Sequence, residues 1–407
     1  MERVEEFYRI MESTIEARRT LVAEYLARKE KDGDLEEGTL AEKEVRQLEE
    51  VSARLQDMPR NEEGHLLFLD EQDREILIDG KYELAELKKD ILFFRQGEKA
   101  LEEHLVQINP GYMGERNRLL EFLRGRQVDA FFTDRDGTVN NYCGRYRSSV
   151  QSGYNAVYLS TFASVLPSKP VILTSAPLKD IGIADISVFS QGLYLLAGSK
   201  GREYLWHGGE RKTYPISTEE QRRLNALNND LASLLEREEN HIFSLIGSGF
   251  QRKFGETAVA RQDMHGSVPP AESERFKEEV RRLVERHNGD DNYFRLEDTG
   301  KDLEIILSLG EEGRHFNKGD GISFLSSVLD LPLKGKDILI CGDTSSDLPM
   351  VSRARDEGAK VAAVFVTTDE SLAGALREMD VEHTIVSSPD VLVSSLNHST
   401  EEIDSST

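Results

Sequence analysis

The chain has 407 residues and a formal net charge of -24, long enough for two or three domains that each bury a core. The acidic balance excludes a general affinity for nucleic acid or anionic membranes, which need a field of the opposite sign, so any phosphate must be met locally. Cys143 and Cys341 stand far apart without metal-ligand spacing, the start MERVEEFYRI is acidic where a secretory signal would be basic then apolar, and no apolar run is long enough to cross a bilayer. A soluble, cytoplasmic protein is predicted.

Residues 1–110 read as helices with one apolar face each. Val4, Phe7, Ile10, Met11 and Ile15 recur at three- and four-residue steps, as do Val45, Leu48, Val51 and Leu55, then Leu84, Leu87, Ile91 and Phe94. KDGDLEEGT and DMPRNEEG carry the glycine, proline and charge of connections, which predicts an antiparallel bundle or hairpin. It reads as an accessory bundle; a protein partner or self-association through these helices is the other use of such faces, and no motif marks it.

After a break at NPGYMG, the texture changes to alternating strands and helices. VDAFF, PVILT, DILIC and VAAVFV are short, apolar and rich in β-branched residues, as strands buried on both faces should be. The pattern predicts an α/β fold with a doubly wound, Rossmann-like parallel sheet over residues 111–202 and 311–397, with ligands collecting beyond the carboxyl ends of its strands. Residues 203–310 read as an inserted α+β cap, with helices near Thr218–Glu239 and Ala271–His287 and strand-like runs HIFSLIGSG, TAVARQD and LEIILSL. The tail, 398–407, reads as disordered.

The chemistry gathers at the strand ends. FFTDRDGTV places Asp134 and Asp136 two residues apart, with Gly137 allowing a sharp turn; alone, the pair also fits a solvated turn. DILIC runs into GDTSSD, so Asp343 and Asp347 emerge past a second buried strand. Converging acids need a cation, and hard oxygen ligands of this kind suit Mg2+. VILTSAP offers Thr174 and Ser175 as hydroxyl donors to a phosphoryl oxygen, and Lys318 in FNKGDG can neutralise charge. Singly, that lysine fits a solvated surface and the Thr-Ser pair fits a helix cap.

These four ordered motifs resemble those of the haloacid-dehalogenase superfamily, over Val128 to the last strand. FFTDRDGT, VILTSAPL, GSGFQRKFGE, VARQDMHGSVP and ILICGDTSSDLPM look like trehalose-6-phosphate phosphatases of the nematode type. The resemblance implies a magnesium-dependent phosphatase in which Asp134 is the nucleophile, forming an aspartyl phosphate, and Asp136 is the acid and base. It further implies metal contacts from Asp134, the Asp136 backbone carbonyl, Asp343 and Asp347, the last as ligand or as holder of bound water. Lys318 with Ser175 or Thr174 would cradle the phosphoryl oxygens, the strand end favouring Ser175. Specificity is expected in the insertion, where Gln251, Lys253, Glu256, Arg295, Glu297 and Asp298 offer partners for sugar hydroxyls. Arg135 departs from the apolar or tyrosyl residue of many relatives. The chain is too short to hold a complete glucosyltransferase as well, so trehalose 6-phosphate would be made elsewhere. Rival readings are a phosphatase of sucrose or glucosylglycerol phosphate, a mutase, and a catalytically silent binding or regulatory protein on the same fold.

Overall fold

The computed structural model describes residues 2–32, 41–190, 192–206, 209–289, 292–308 and 315–404. Most of KDGDLEEGT and the boundary expected at 310–311 lie outside them.

Helices α1 (Val4–Asp32) and α2 (Glu42–Asp57) pack on each other. The next segment departs from the helical reading. Leu66, Phe68, Ile76 and Ile78 are buried at alternating positions, and they form an antiparallel hairpin of β1 (Leu66–Leu69) and β2 (Glu75–Ile78), with Leu66 opposite Ile78. Helix α3 (Lys81–Ile108) and the shorter α4 (Tyr112–Leu123) follow. Phe7, Met11, Leu48, Leu55, Leu87 and Phe94 are all buried within the chain, while Val106 and Ile108 at the end of α3 and Met113 on α4 stay exposed.

The next elements are β3 (Ala130–Thr133), α5 (Gly153–Ser164), β4 (Val171–Leu173), α6 (Ile183–Ile186), β5 (Leu195–Gly198), β6 (Glu203–Leu205) and β7 (Arg211–Thr213). An α+β layer comes next: α7 (Thr218–Leu235), β8 (Phe250–Lys253), β9 (Glu256–Ala260), α8 (Pro270–Asn288), β10 (Phe294–Asp298) and β11 (Asp302–Leu307). The chain then returns through α9 (Lys318–Val328), β12 (Asp337–Gly342), α10 (Leu348–Asp356), β13 (Lys360–Val366), α11 (Glu370–Glu378), β14 (Glu382–Val386) and α12 (Pro389–Asp404).

The large sheet has the order β14-β13-β12-β3-β4-β5-β6-β7, parallel from β14 to β5 and antiparallel beyond. The chain leaves β3 towards β4 on one side and returns to β12 on the other, so a topological switch point lies between β3 and β12. Glu203–Leu205 and Arg211–Thr213, read from the sequence as the start of the insertion, instead extend this sheet: Tyr204 pairs with Ala197 and Glu203 with Thr213. The smaller sheet, β10-β11-β9-β8, is antiparallel, with α7 and α8 packed together beside it. HIFSLIGSG is not a strand; His241–Ser244 form a 3-10 turn whose Phe243 ring stacks on Phe276.

Alternate residues of β3 feed opposite cores. Phe132 packs with Ile322, Ile340 and Met350, while Phe131 joins a core that runs without a break into the amino-terminal helices. Two buried charge clusters fix that seam. Asp90 accepts from Arg18 Nε at 2.7 Å and from the Tyr154 amide at 3.0 Å, and Lys89 Nζ contacts Glu86 at 2.6 Å and Asp390 at 2.8 Å. Removing one partner of such a pair leaves a buried charge uncompensated, which is strongly destabilising. The tail also departs from expectation: α12 runs to Asp404, with Val391, Leu392, Leu396, Ser399 and Thr400 buried as it packs on α4 and α5. Among the described residues no helix is long and apolar enough to cross a membrane.

Candidate functional site

A cavity of about 260 Å³ opens at the switch point. The Asp134 amide donates to Cys341 O at 3.0 Å, which pins the end of β3 to β12 and brings the two acidic loops together. Asp134 lies directly beyond β3 and Asp343 directly beyond β12. Gly137 has φ +88°, and a Cβ there would overlap the Asp343 carboxylate, so the turn after DRD requires glycine on both counts.

Lys318 is the first residue of α9. Asn317 caps that helix, accepting from the amides of Gly319 and Asp320, while the Asp320 carboxylate accepts from the Asn317 amide. The cap aims a buried lysine at the acids: Nζ is 2.6 Å from Asp134 Oδ1 and 2.5 Å from Asp347 Oδ1. Burial opposes the ammonium charge, but Asp134 and Asp347 together outweigh it and raise the lysine pKa.

Carboxylate oxygens of Asp134, Asp343 and Asp347 lie within 4.8 Å of one another. Burial, with repulsion from Asp347, pushes the Asp134 carboxyl up to about 6 despite Lys318. Burial, then repulsion from Asp134 and Asp347, pushes Asp343 up to about 9. Such a site favours a cation that offsets the clustered charge, and an all-oxygen donor set fits magnesium. The three acids are not equivalent. Asp347 Oδ2 accepts from the amides of Asp343 and Thr344 at 3.0 Å while its Oδ1 holds Lys318, so Asp134 and Asp343 retain the open oxygens.

Asp136 lines the same cavity, but its side chain lies outside that acidic cluster. It pairs with Arg135 and accepts from Ser149 Oγ at 2.8 Å, while Arg135 Nη2 donates to Ser149 O at 2.6 Å. The unusual arginine between the acids is therefore buried and holds its neighbour. Thr174 and Ser175 both line the cavity. Thr174 Oγ1 accepts from the Ala176 amide at 3.2 Å, whereas Ser175 has no hydrogen-bonding side-chain partner among the described residues.

The insertion residues divide. Gln251 and Lys253, on β8, line the cavity. Glu256 stands behind them: Lys253 Nζ takes its Oε1 at 3.0 Å and Lys200 Nζ its Oε2 at 2.6 Å, and these lysines outweigh burial to lower the carboxyl to about 2. Arg295, Glu297 and Asp298 do not reach the cavity. They lie on β10, the edge strand farthest from β8, where Arg295 pairs with Glu297 at 2.6 Å and Asp298 with Arg261 and Lys277 at 2.6 and 2.7 Å. The tip of the β10–β11 hairpin reaches it instead, through Lys301 and Asp302. Arg145, Tyr146 and Asp263 also line the cavity and were not named from the sequence; NNYCGRYRSS, polar and aromatic just after DGTV, was the available signal for the first two, and Asp263 stands within VARQDMHGSVP.

A family model described as "Trehalose-6-phosphate phosphatase, C-terminal" matches residues 131–392, and one described as "Trehalose-6-phosphate phosphatase N-terminal helical bundle domain" matches residues 3–109. The chain is 31% identical over 345 residues to an alpha,alpha-trehalose-phosphate synthase (UDP-forming) 1 of Caenorhabditis elegans, a match covering 80% of this chain and 26% of that protein. It is 34% identical over 268 residues to a trehalose-phosphatase of Caenorhabditis elegans, covering 64% of this chain and 61% of the other. To a trehalose-phosphatase of Caenorhabditis briggsae it is 28% identical over 423 residues, covering 95% of each. The chain thus spans about a quarter of the length of the first of these relatives.

Proposed function

The chain belongs to the trehalose-6-phosphate phosphatase family, a branch of the haloacid-dehalogenase fold, and we propose that it hydrolyses trehalose 6-phosphate to trehalose and phosphate. The observation that carries this reading is the convergence of Asp134, Lys318, Asp343 and Asp347 beyond β3 and β12, at the mouth of a cavity roofed by the smaller sheet.

In this reading an open Asp134 oxygen attacks phosphorus, an Asp134–phosphorus bond forms, and the bond from phosphorus to the sugar oxygen breaks. Asp136, held at the rim by Arg135 and Ser149, gives its proton to the departing sugar oxygen. Water then attacks phosphorus, Asp136 takes its proton, and phosphate leaves with Asp134 restored; one difficult displacement becomes two easier ones. Lys318 spreads positive charge over the phosphoryl oxygens, and Ser175 with Thr174 supplies hydroxyl donors. Asp134 and Asp343, with the Asp136 carbonyl, would hold Mg2+, while Asp347 orients Lys318 and the loop amides. When bound, the ion offsets the clustered negative charge and draws phosphoryl oxygens to the site. We read the chain as a helical unit to about residue 110, a phosphatase core, and an α+β cap whose first helix is α7. A cytoplasmic setting accords with two free, buried cysteines.

The test is steady-state phosphate release with Mg2+ across trehalose 6-phosphate, sucrose 6-phosphate and glucosylglycerol phosphate. The reading predicts the highest kcat/KM for trehalose 6-phosphate; equal values across the panel contradict the substrate assignment.

A further inference from the structure

Three residues that line the cavity each carry a buried polar atom with no hydrogen-bond partner among the described residues: Arg145 Nε, Tyr146 Oη and Asp263 Oδ2. Buried donors and acceptors are nearly always paired, so three unpaired ones on residues that line one cavity mark a ligand surface. Their chemistry is a charged donor, a hydroxyl that donates or accepts, and a carboxylate acceptor. That set complements the hydroxyls of a sugar.

Each residue is anchored through another of its atoms or by its own turn. Asp263 Oδ1 accepts from the amides of His265 and Ser267 at 3.0 Å each. Arg145 Nη2 lies 3.0 and 3.1 Å from the two oxygens of Glu83, and Ser148 Oγ, in the 3-10 turn begun by Tyr146, donates to Glu83 Oε1 at 2.7 Å. Glu83 is fully buried and belongs to α3, in the amino-terminal unit. The same unit grips the cap side. The Leu77 amide of β2 donates to Ser267 Oγ at 3.0 Å, and the ring of His65, just before β1, lies 4.4 Å from that of His265; Ser267 and His265 are both on the loop that carries Asp263.

We infer that the amino-terminal unit builds part of the substrate pocket: Glu83 positions Arg145, and Arg145, Tyr146 and Asp263 recognise hydroxyls of the sugar. This rests on the phosphatase reading and extends it, since it assigns discrimination to residues apart from the phosphoryl-transfer group. A site that presents unpaired polar groups to a sugar rejects compounds lacking those hydroxyls, which leave the groups buried and unsatisfied.

The experiment compares kcat/KM for trehalose 6-phosphate with that for p-nitrophenyl phosphate, which has no sugar hydroxyls, using the full chain and Mg2+. In Tyr146→Phe and Asp263→Asn, near-isosteric changes checked for folding by thermal unfolding, the ratio of the two values is expected to fall about tenfold or more, chiefly through KM for trehalose 6-phosphate. Glu83→Gln is expected to lower the same ratio through Arg145, and Glu83→Asp to recover part of it; should Glu83→Gln not fold, the other two variants decide. Equal losses on both substrates, or no loss on trehalose 6-phosphate, overturn the inference. A wild-type chain that hydrolyses neither compound overturns the phosphatase reading, and the inference with it.

Discussion

The two ends of the cavity are built on opposite principles. At the end formed by β3, β12 and α9, the charged groups are tied to one another, with Lys318 bridging Asp134 and Asp347 and loop amides holding Asp347. At the other end Arg145, Tyr146 and Asp263 are each anchored but keep one buried atom unpaired among the described residues. In the proposed reaction the first arrangement meets the same phosphoryl group whatever it is attached to, and it is preorganised. In the inferred pocket the sugar completes the second, which draws on three parts of the chain: the core loop, the cap and the amino-terminal helices.

Substitutions should separate these two ends sharply. The largest effect is expected for Asp134→Asn, a loss of at least about a thousandfold in kcat with a folded protein, measured by phosphate release and circular dichroism. Lys318→Met comes next. It leaves Asp134 and Asp347 facing each other in a buried site, so ion-free protein should lose about 3–5 kcal/mol in denaturant unfolding. Mg2+ should restore part of that, because binding to the native state alone stabilises it.

A pH dependence follows from Asp343. Its folded value of about 9 lies far above the ordinary 3.8, so above pH ~4 the unfolded chain releases this proton while the folded chain retains it. Ion-free protein should therefore lose stability as pH rises from about 4 towards 9. Mg2+ prefers the ionised acids, so the gap in thermal midpoint between Mg2+ and EDTA should widen with rising pH; a gap that narrows would contradict the cation assignment. The smallest effects lie in the cap. Lys253→Ala, in the cavity wall, should raise KM by about tenfold, whereas Arg295→Ala, on the far edge strand, should change kcat/KM by less than about twofold.

The sequence makes the phosphate end legible because its residues follow buried strands directly: Asp134 after VDAFF, Asp343 after DILIC and Lys318 beside its Asn317 cap sit where a doubly wound sheet must place them. The cap was only partly legible. Alternation along a strand tells which face a side chain takes, but not whether that strand is near or far in the sheet, so Arg295 and Gln251 looked alike while β10 and β8 stand on opposite edges. Glu203 was misplaced for a related reason, since a parallel sheet extended by an antiparallel hairpin carries no compositional break. The β1–β2 hairpin, by contrast, had its period-two signal in Leu66, Phe68, Ile76 and Ile78, outweighed by the helical periodicity on either side. Glu83 could not be read at all as part of the pocket, because its role exists only through a contact 62 residues away in sequence.

The central claim is that Asp134 carries the phosphoryl group. Acid quench of the protein during turnover of trehalose 6-phosphate, followed by peptide mass spectrometry, tests it most directly. The account predicts phosphate on the peptide containing Asp134 and none in Asp134→Asn; phosphate release by wild-type protein with a phosphoryl group trapped on a different residue would contradict it.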